Sequence, residues 1–231
     1  MKCNNIDNRW EEVLKFIEEN IDAFDEYEIM RIKNVMQYGN FPKDYHVDLI
    51  RELCDNAGMI PEEDNMYLAF LKELIETFDI EKRNIIEVGG GIIPCLGRRI
   101  SLLQTGGSIT VYDPRIIDTI ESSEKFRLVK EKFTHSTDLG DTNLLIGLMP
   151  CEGAEVLIDK AIKHKIDFMV WLCEGGPHGD YFDFYEDDEE WLCAILSYAK
   201  RGVSENNMGQ LKKKYLERFS KEFPIISSKK I

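Results

Sequence analysis

The densest chemical signal in the chain is Glu87-Val88-Gly89-Gly90-Gly91-Ile92-Ile93-Pro94. An acid stands two positions before a run of glycines, and a proline follows the run. Glycine lets a turn adopt positive φ and lets backbone approach a ligand closely. A helix starting there would aim its N–H groups at that ligand. Pro94 suits the first turn of such a helix, where a missing N–H costs nothing. Asp113 stands 22 residues after Gly91, at the end of another apolar run. A carboxylate there can accept both hydroxyls of a ribose. A third candidate is the loop Glu174-Gly175-Gly176-Pro177-His178. His178, whose ordinary pKa is near neutral, could position a substrate or remove its proton, with Glu174 beside it. The alternative for His178 is a solvated loop histidine.

These groups need elements to hold them. Residues 84–88, 108–113, 126–133, 143–149 and 167–173 are short apolar runs that read as strands. Helical stretches are expected over 94–103, 115–122, 153–164 and 189–200, with a further helix over 211–223 and a last strand over 224–228. Apolar strands alternating with helices predict a parallel sheet covered on both faces. The first 80 residues differ. Trp10, Val13, Leu14, Ile17 and Ile21 recur at helical spacing behind Asp7, a candidate N-cap. Further helices are expected over 27–38 and 47–56, and a fourth opens at Pro61, with Tyr67, Phe70, Leu71, Leu74 and Phe78 on its buried face. The expected fold class is therefore α/β. A helical cap over residues 1–80 precedes a Rossmann-like, doubly wound, mostly parallel sheet domain over 81–231. The helices before Pro61 are expected to act as a lid that selects the substrate.

Composition narrows the classes. The chain has 231 residues, 43% hydrophobic and 31% charged, enough for a core and too polar for a long membrane span. Its first ten residues contain no apolar signal core, and the six cysteines form no C-x-x-C pair. Reduced thiols and a cytoplasmic location follow as expectations. Residues 1–80 carry 19 acids against 8 bases, and the remainder 24 against 21. An acidic N-terminal third argues against broad contact with a phosphate backbone, so a small-molecule substrate is expected and nucleic acid is not.

The turn fails the dinucleotide pattern G-x-G-x-x-G, because Pro94 takes the third glycine position. Phosphate would not welcome Glu87, whereas an aminoacyl group with a cationic amine would. An acid before the glycines and another after the next strand point to S-adenosylmethionine rather than NAD. These residues resemble a class I S-adenosylmethionine-dependent methyltransferase. Glu87, Gly89 and Gly91 match the family's first motif, Ile93 departs at the third glycine, and Asp113 matches the acid of the second. The resemblance covers roughly residues 65–175 and implies that Gly89–Gly91 and Pro94 approach the methionine portion and Asp113 holds the ribose. It also implies that Phe133 and Thr134 flank the adenine, and that the region Met149, Pro150 and Cys151 and the loop from Glu174 to His178 face the transferred methyl. Residues 144–154 are also similar to a branch of this superfamily with G-L-H-x-C-G after the fourth strand and P-C-C after the fifth. Met149 replaces that histidine and Leu172-Cys173-Glu174 replaces P-C-C. Two alternatives stay open. One is transfer of the aminocarboxypropyl arm of the same cofactor, as in nicotianamine synthases, whose glycine-then-proline turn is similar. The other is an inactive interaction module.

Weaker candidates carry structural readings. The acids of residues 180–190 could supply oxygens to a hard cation but read better as the acidic start of the helix carrying Trp191, so no metal is expected. Cys151 and Cys173 follow adjacent strands, and burial explains them better than nucleophilic chemistry does. Lys212, Lys213, Lys214, Arg218 and Lys221 read as a solvated helix face.

Overall fold

The computed structural model describes residues 4–26, 28–30, 32–33, 49–173 and 188–230. Its centre is one seven-stranded sheet: β1 (Asn84–Val88), β2 (Ser108–Tyr112), β3 (Phe126–Val129), β4 (Leu144–Leu148), β5 (Asp167–Trp171), β6 (Lys212–Lys214) and β7 (Ile225–Ser228). The order is β3-β2-β1-β4-β5-β7-β6. The first five strands are parallel, and β7 is inserted antiparallel between β5 and β6. The fold is a Rossmann-like, mostly parallel doubly wound sheet. The direction of winding reverses between β1 and β4, and in open α/β sheets that switch point is where a crevice opens beyond the carboxyl ends of the strands.

Six helices have described bounds: α1 (Asn4–Glu19), α2 (Leu49–Asn56), α3 (Met66–Thr77), α4 (Cys95–Leu103), α5 (Gly153–His164) and α6 (Asp188–Glu205). The strands' period of two sorts side chains between two layers. Ile85, Ile109, Ile146 and Met169 join a core with Val13, Leu53, Phe70 and Ile100, on the side of α1 to α4. Ile86, Leu145, Phe168 and Val170 join Leu157, Trp191 and Ile195 on the side of α5 and α6. Charged groups on α5 are absorbed as well. Glu155 accepts from Trp191 Nε1 at 2.7 Å and Asp159 from Tyr198 Oη at 2.5 Å, and the other Asp159 oxygen is ion-paired with Lys163 at 2.8 Å.

Several sequence-based expectations need correction. Asp7 lies inside α1 rather than capping it, and Ile21 falls in a 3₁₀ turn with half its surface in water. Pro61 opens only a 3₁₀ turn. The helix proper starts at Met66, where Asn65 Oδ1 accepts the Leu68 N–H at 3.1 Å, the stronger N-cap. The helix expected over 115–122 is a pair of turns. Asp113 Oδ1 captures the Arg115 N–H at 2.8 Å, and such a local side-chain bond competes with helix formation. The helix expected over 211–223 is replaced by β6 and turns. Lys212–Lys214 pair with β7, and Lys214 binds Glu73 of α3, so long-range pairing overrides a weak helical period. Three lysines on this edge also discourage pairing with another chain. The helix expected over 27–38 lies largely outside the described residues.

Candidate functional site

The glycine turn leaves β1 at the switch point. Gly89 donates its N–H to Tyr112 O at 2.9 Å, extending the β1–β2 ladder, and then turns at φ 74°. A Cβ on Gly89 would stand 2.9 Å from Pro150 Cα, so side-chain-free backbone is required where the turn meets the β4–α5 connection. A Cβ on Gly91, at φ 77°, would overlap the Glu52 carboxylate at 2.1 Å. Pro94 is the N-cap of α4 and accepts the Arg98 N–H at 3.0 Å through its carbonyl.

Two carboxylates from elsewhere in the chain close this turn. Asp113 Oδ2 accepts the Gly91 N–H at 2.9 Å, and Glu52 Oε2, from α2, accepts the Ile93 N–H at 2.8 Å. The electropositive start of α4, where a phosphate would otherwise dock, thus already holds a side chain of this protein. Burial pushes Glu52 up to about 8, with the Asp113 charge adding to it and the Ile93 bond pulling back.

Glu87 departs from expectation in its direction. The sequence places its carboxylate in the crevice. In the structure it is 2% exposed beneath α4, where a Cβ on Gly97 would lie 2.6 Å from Oε2. Residue 87 falls on the α4 face of the strand, opposite Ile86 and Val88, so alternation sends it under the helix. Its Oε2 has no hydrogen-bond partner among the described residues, and neither does the buried Tyr67 Oη. Burial, then the Asp113 charge, raises Glu87 to about 8. Tyr67 rises well above its ordinary value, first through burial and then through the Glu52 charge.

Beyond the strand ends opens a cleft of about 350 Å³, within the range of small-molecule sites. Gly89, Asp113, Phe133, Thr134 and Pro150 line it together. Tyr112, also on the wall, meets Phe133 edge to face at 5.6 Å between ring centres. Met149 is buried in the core at φ 50°, and its N–H donates to Trp171 O at 2.9 Å; Gly90 lies against Val111 and Pro94, and Gly91 faces Glu52 of α2. Met149, Gly90, Gly91 and Pro94, with Glu87, are not among the cleft-lining residues. Glu174, His178 and residues 180–187 lie outside the described residues. No cluster of three or more metal-ligating side chains occurs among the described residues.

Three contributors escape the sequence reading. Glu52 is the first. Its only signal is that Glu52 and Asp55 stand three positions apart on one face of α2. Asp55 is matched by Arg99 of α4, through two bonds at 2.6 and 2.8 Å. The second is Arg115, which lines the cleft while its guanidinium binds Glu28 at 2.6 Å; Glu28 and Asp25 cap each other reciprocally. The third is Lys160 of α5. Its ammonium donates to the carbonyls of His135 and Thr137 at 2.9 and 2.6 Å and sits 5.7 Å from the Phe133 ring centre. It clamps the wall carrying Phe133 and Thr134. By contrast, Lys132 and Glu152, facing each other at 3.4 Å on the rim, are solvated and contribute little.

No family model matches the chain, and no curated protein matches it. Solved structures do. Human N-acetylserotonin methyltransferase in complex with SAM aligns over 96% of this chain and 66% of its own length, just under two thirds, at 13% identity and a TM-score of 0.44. Magnesium protoporphyrin IX methyltransferase from Synechocystis, with bound SAH, aligns over 87% of this chain and 99% of its own, at 10% identity and a TM-score of 0.47. Fibrillarin from Methanococcus jannaschii aligns over 65% and 68%, at 12% identity and a TM-score of 0.44. At these identities the likeness is one of fold, and function has to be read from the chain's own residues.

Proposed function

We propose that the chain is an S-adenosylmethionine-dependent methyltransferase acting on a small-molecule acceptor. The observation that carries this reading is the company Asp113 keeps. It stands at the end of β2 in the same cleft as Gly89, Phe133, Thr134 and Pro150. An ionised carboxylate offers about four acceptor sites, and backbone N–H groups use only one on each Asp113 oxygen. Capacity is left for two ribose hydroxyls. The clamped wall at Phe133 and Thr134 offers an apolar, partly aromatic surface to a purine. Glu52 on the α4 turn disfavours a pyrophosphate there, which separates this cleft from a dinucleotide site.

The cofactor supplies a methyl group on a positively charged sulfur. The chain supplies alignment and exclusion of water, which suffice for in-line displacement when the acceptor is held against that methyl. Arg115, on the rim and tied to Glu28, links the segment before α2 to the cleft. His178 and Glu174 are proposed to position the acceptor or take its proton. Residues 1–80 are proposed as the cap and 81–231 as the catalytic domain.

A second reading is transfer of the aminocarboxypropyl arm of the same cofactor, and the feature that supports it is the glycine turn running into Pro94. Calorimetry with S-adenosylmethionine, S-adenosylhomocysteine and NAD tests the cofactor, and mass analysis of products separates the two transfers. Tight NAD binding with no response to S-adenosylhomocysteine would overturn both readings.

A further inference from the structure

The sequence leads one to expect that Cys151 and Cys173 are both buried. Only Cys173 is, at 4% exposure. Cys151 is exposed, on a turn where it adopts φ 47°, and it lines the cleft beside Pro150 and Gly153. The turn owes its shape to the end of β4. Met149 keeps the β4–β5 pairing alive through its bond to Trp171 O, and the Gly153 N–H then closes on Pro150 O at 2.9 Å. This folding back brings the Cys151 sulfur to 3.6 Å from that of Cys173, just beyond β5, with the Cys173 thiol directed at it. Both cysteines lie past the ends of their strands.

We propose that Cys151 and Cys173 form a reversible redox pair that senses peroxide at the lip of the cleft. Cys151, reachable from solvent, attacks a peroxide oxygen. The O–O bond breaks, one oxygen leaves as water, and Cys151 becomes a sulfenic acid. The Cys173 thiolate attacks that sulfur from inside, the S–O bond breaks, the second oxygen leaves as water, and the disulfide forms. Two thiols give up two electrons and two protons, and the peroxide takes both. A disulfide bond is about 2 Å long, so the sulfurs must close by roughly 1.5 Å. That movement draws the Pro150–Gly153 turn toward β5, and Pro150 is the residue packed against Gly89. The cleft floor therefore shifts on oxidation, whichever ligand the cleft takes.

The test treats the full chain with stoichiometric hydrogen peroxide, then alkylates, digests and maps it by mass. A 151–173 linked peptide that dithiothreitol reverses is expected, together with slower amide exchange over residues 149–154 in the oxidised form. In Cys173→Ser, a sulfenic acid trapped on Cys151 by dimedone is expected; in Cys151→Ser, Cys173 should stay reduced. The wild-type map stands alone if either variant fails to fold. Two intact thiols after treatment, Cys151 over-oxidised beside a reduced Cys173, or unchanged amide exchange in a linked chain would overturn the proposal. None of these readouts uses S-adenosylhomocysteine, so failure of the cofactor reading stays distinguishable.

Discussion

Glu52 Oε2 and the Ile93 N–H meet at 2.8 Å across 41 positions of sequence, joining a helix of the N-terminal segment to the glycine turn that ends β1. The bond fills the start of α4 from within the chain. It also places a carboxylate in a site where burial holds its pKa near 8.

Glu52 therefore gives different results with two substitutions. Glu52→Ala leaves a buried N–H without a partner and should lower stability by about 1–3 kcal/mol. Glu52→Gln keeps an acceptor oxygen and resembles the protonated acid, so it should be close to neutral at pH 6. Urea unfolding of both variants at that pH checks the contrast. Equal losses would show that the hydrogen bond is not what Glu52 supplies.

The pH dependence follows from two raised carboxyl groups. Glu52 and Glu87 hold their protons up to about 8 in the folded chain, whereas the unfolded chain releases them near 4.5. Between those values the folded state binds more protons, so stability falls as pH rises through that window. The melting temperature should decline from pH 5 to pH 8.5, and Glu52→Gln with Glu87→Gln should flatten the decline. A profile that rises over that range in the wild type would contradict the assignment.

Asp113 serves both the turn and the proposed ribose contact. Asp113→Ala should weaken S-adenosylhomocysteine by about 1.5–3 kcal/mol, the range for hydrogen bonds to a charged group. Asp113→Asn keeps a carbonyl acceptor and should lose less. Calorimetry on both variants, after thermal melts confirm folding, ranks them. No loss in either would remove the ribose role.

The Arg99–Asp55 pair should matter more to folding than to ligand binding. The Asp55 side chain is 2% exposed and Arg99 28%. Arg99→Ala leaves the buried Asp55 carboxylate with the Asn65 amide but without its guanidinium, and should cost about 3 kcal/mol, at the lower end for breaking a buried pair because Asn65 still donates and Arg99 keeps some water contact. Adding Asp55→Ala should recover part of that loss. A double-mutant cycle by chemical denaturation measures the recovery, and simple additivity would argue against the pairing.

Removing residues 1–58 tests the proposed lid. A detachable lid would leave the cleft intact. Instead, α2 buries Leu53 and Cys54 and contributes Glu52 and Asp55 to α4 and its turn. The shortened chain should lose its cooperative melt and expose apolar surface. A soluble, cooperatively folding fragment that binds S-adenosylhomocysteine would restore the simple lid.

Sequence alone determined the sheet's first five strands, α5 to the residue, and the acid–glycine–acid arrangement at Glu87, Gly89 and Asp113. Those features are local: an apolar run of five residues, a period of 3.6, or a glycine between strand and helix needs no knowledge of distant chain. Tertiary structure decided the rest. Whether residues 212–214 are helix or strand depended on β7 lying alongside. Whether 115–122 could be helical depended on the Asp113 carboxylate being held against Gly91 and Arg115. The side of the sheet on which Glu87 lies depended on strand alternation within the assembled layers, and a motif does not carry that information. Glu52 was hidden for the same reason. On α2 it reads as one more surface acid, and it becomes a partner of the glycine turn only because α2 packs on α4 and brings it 41 residues across the chain. Such contacts arise from the shape of two packed faces, which no short window of sequence records.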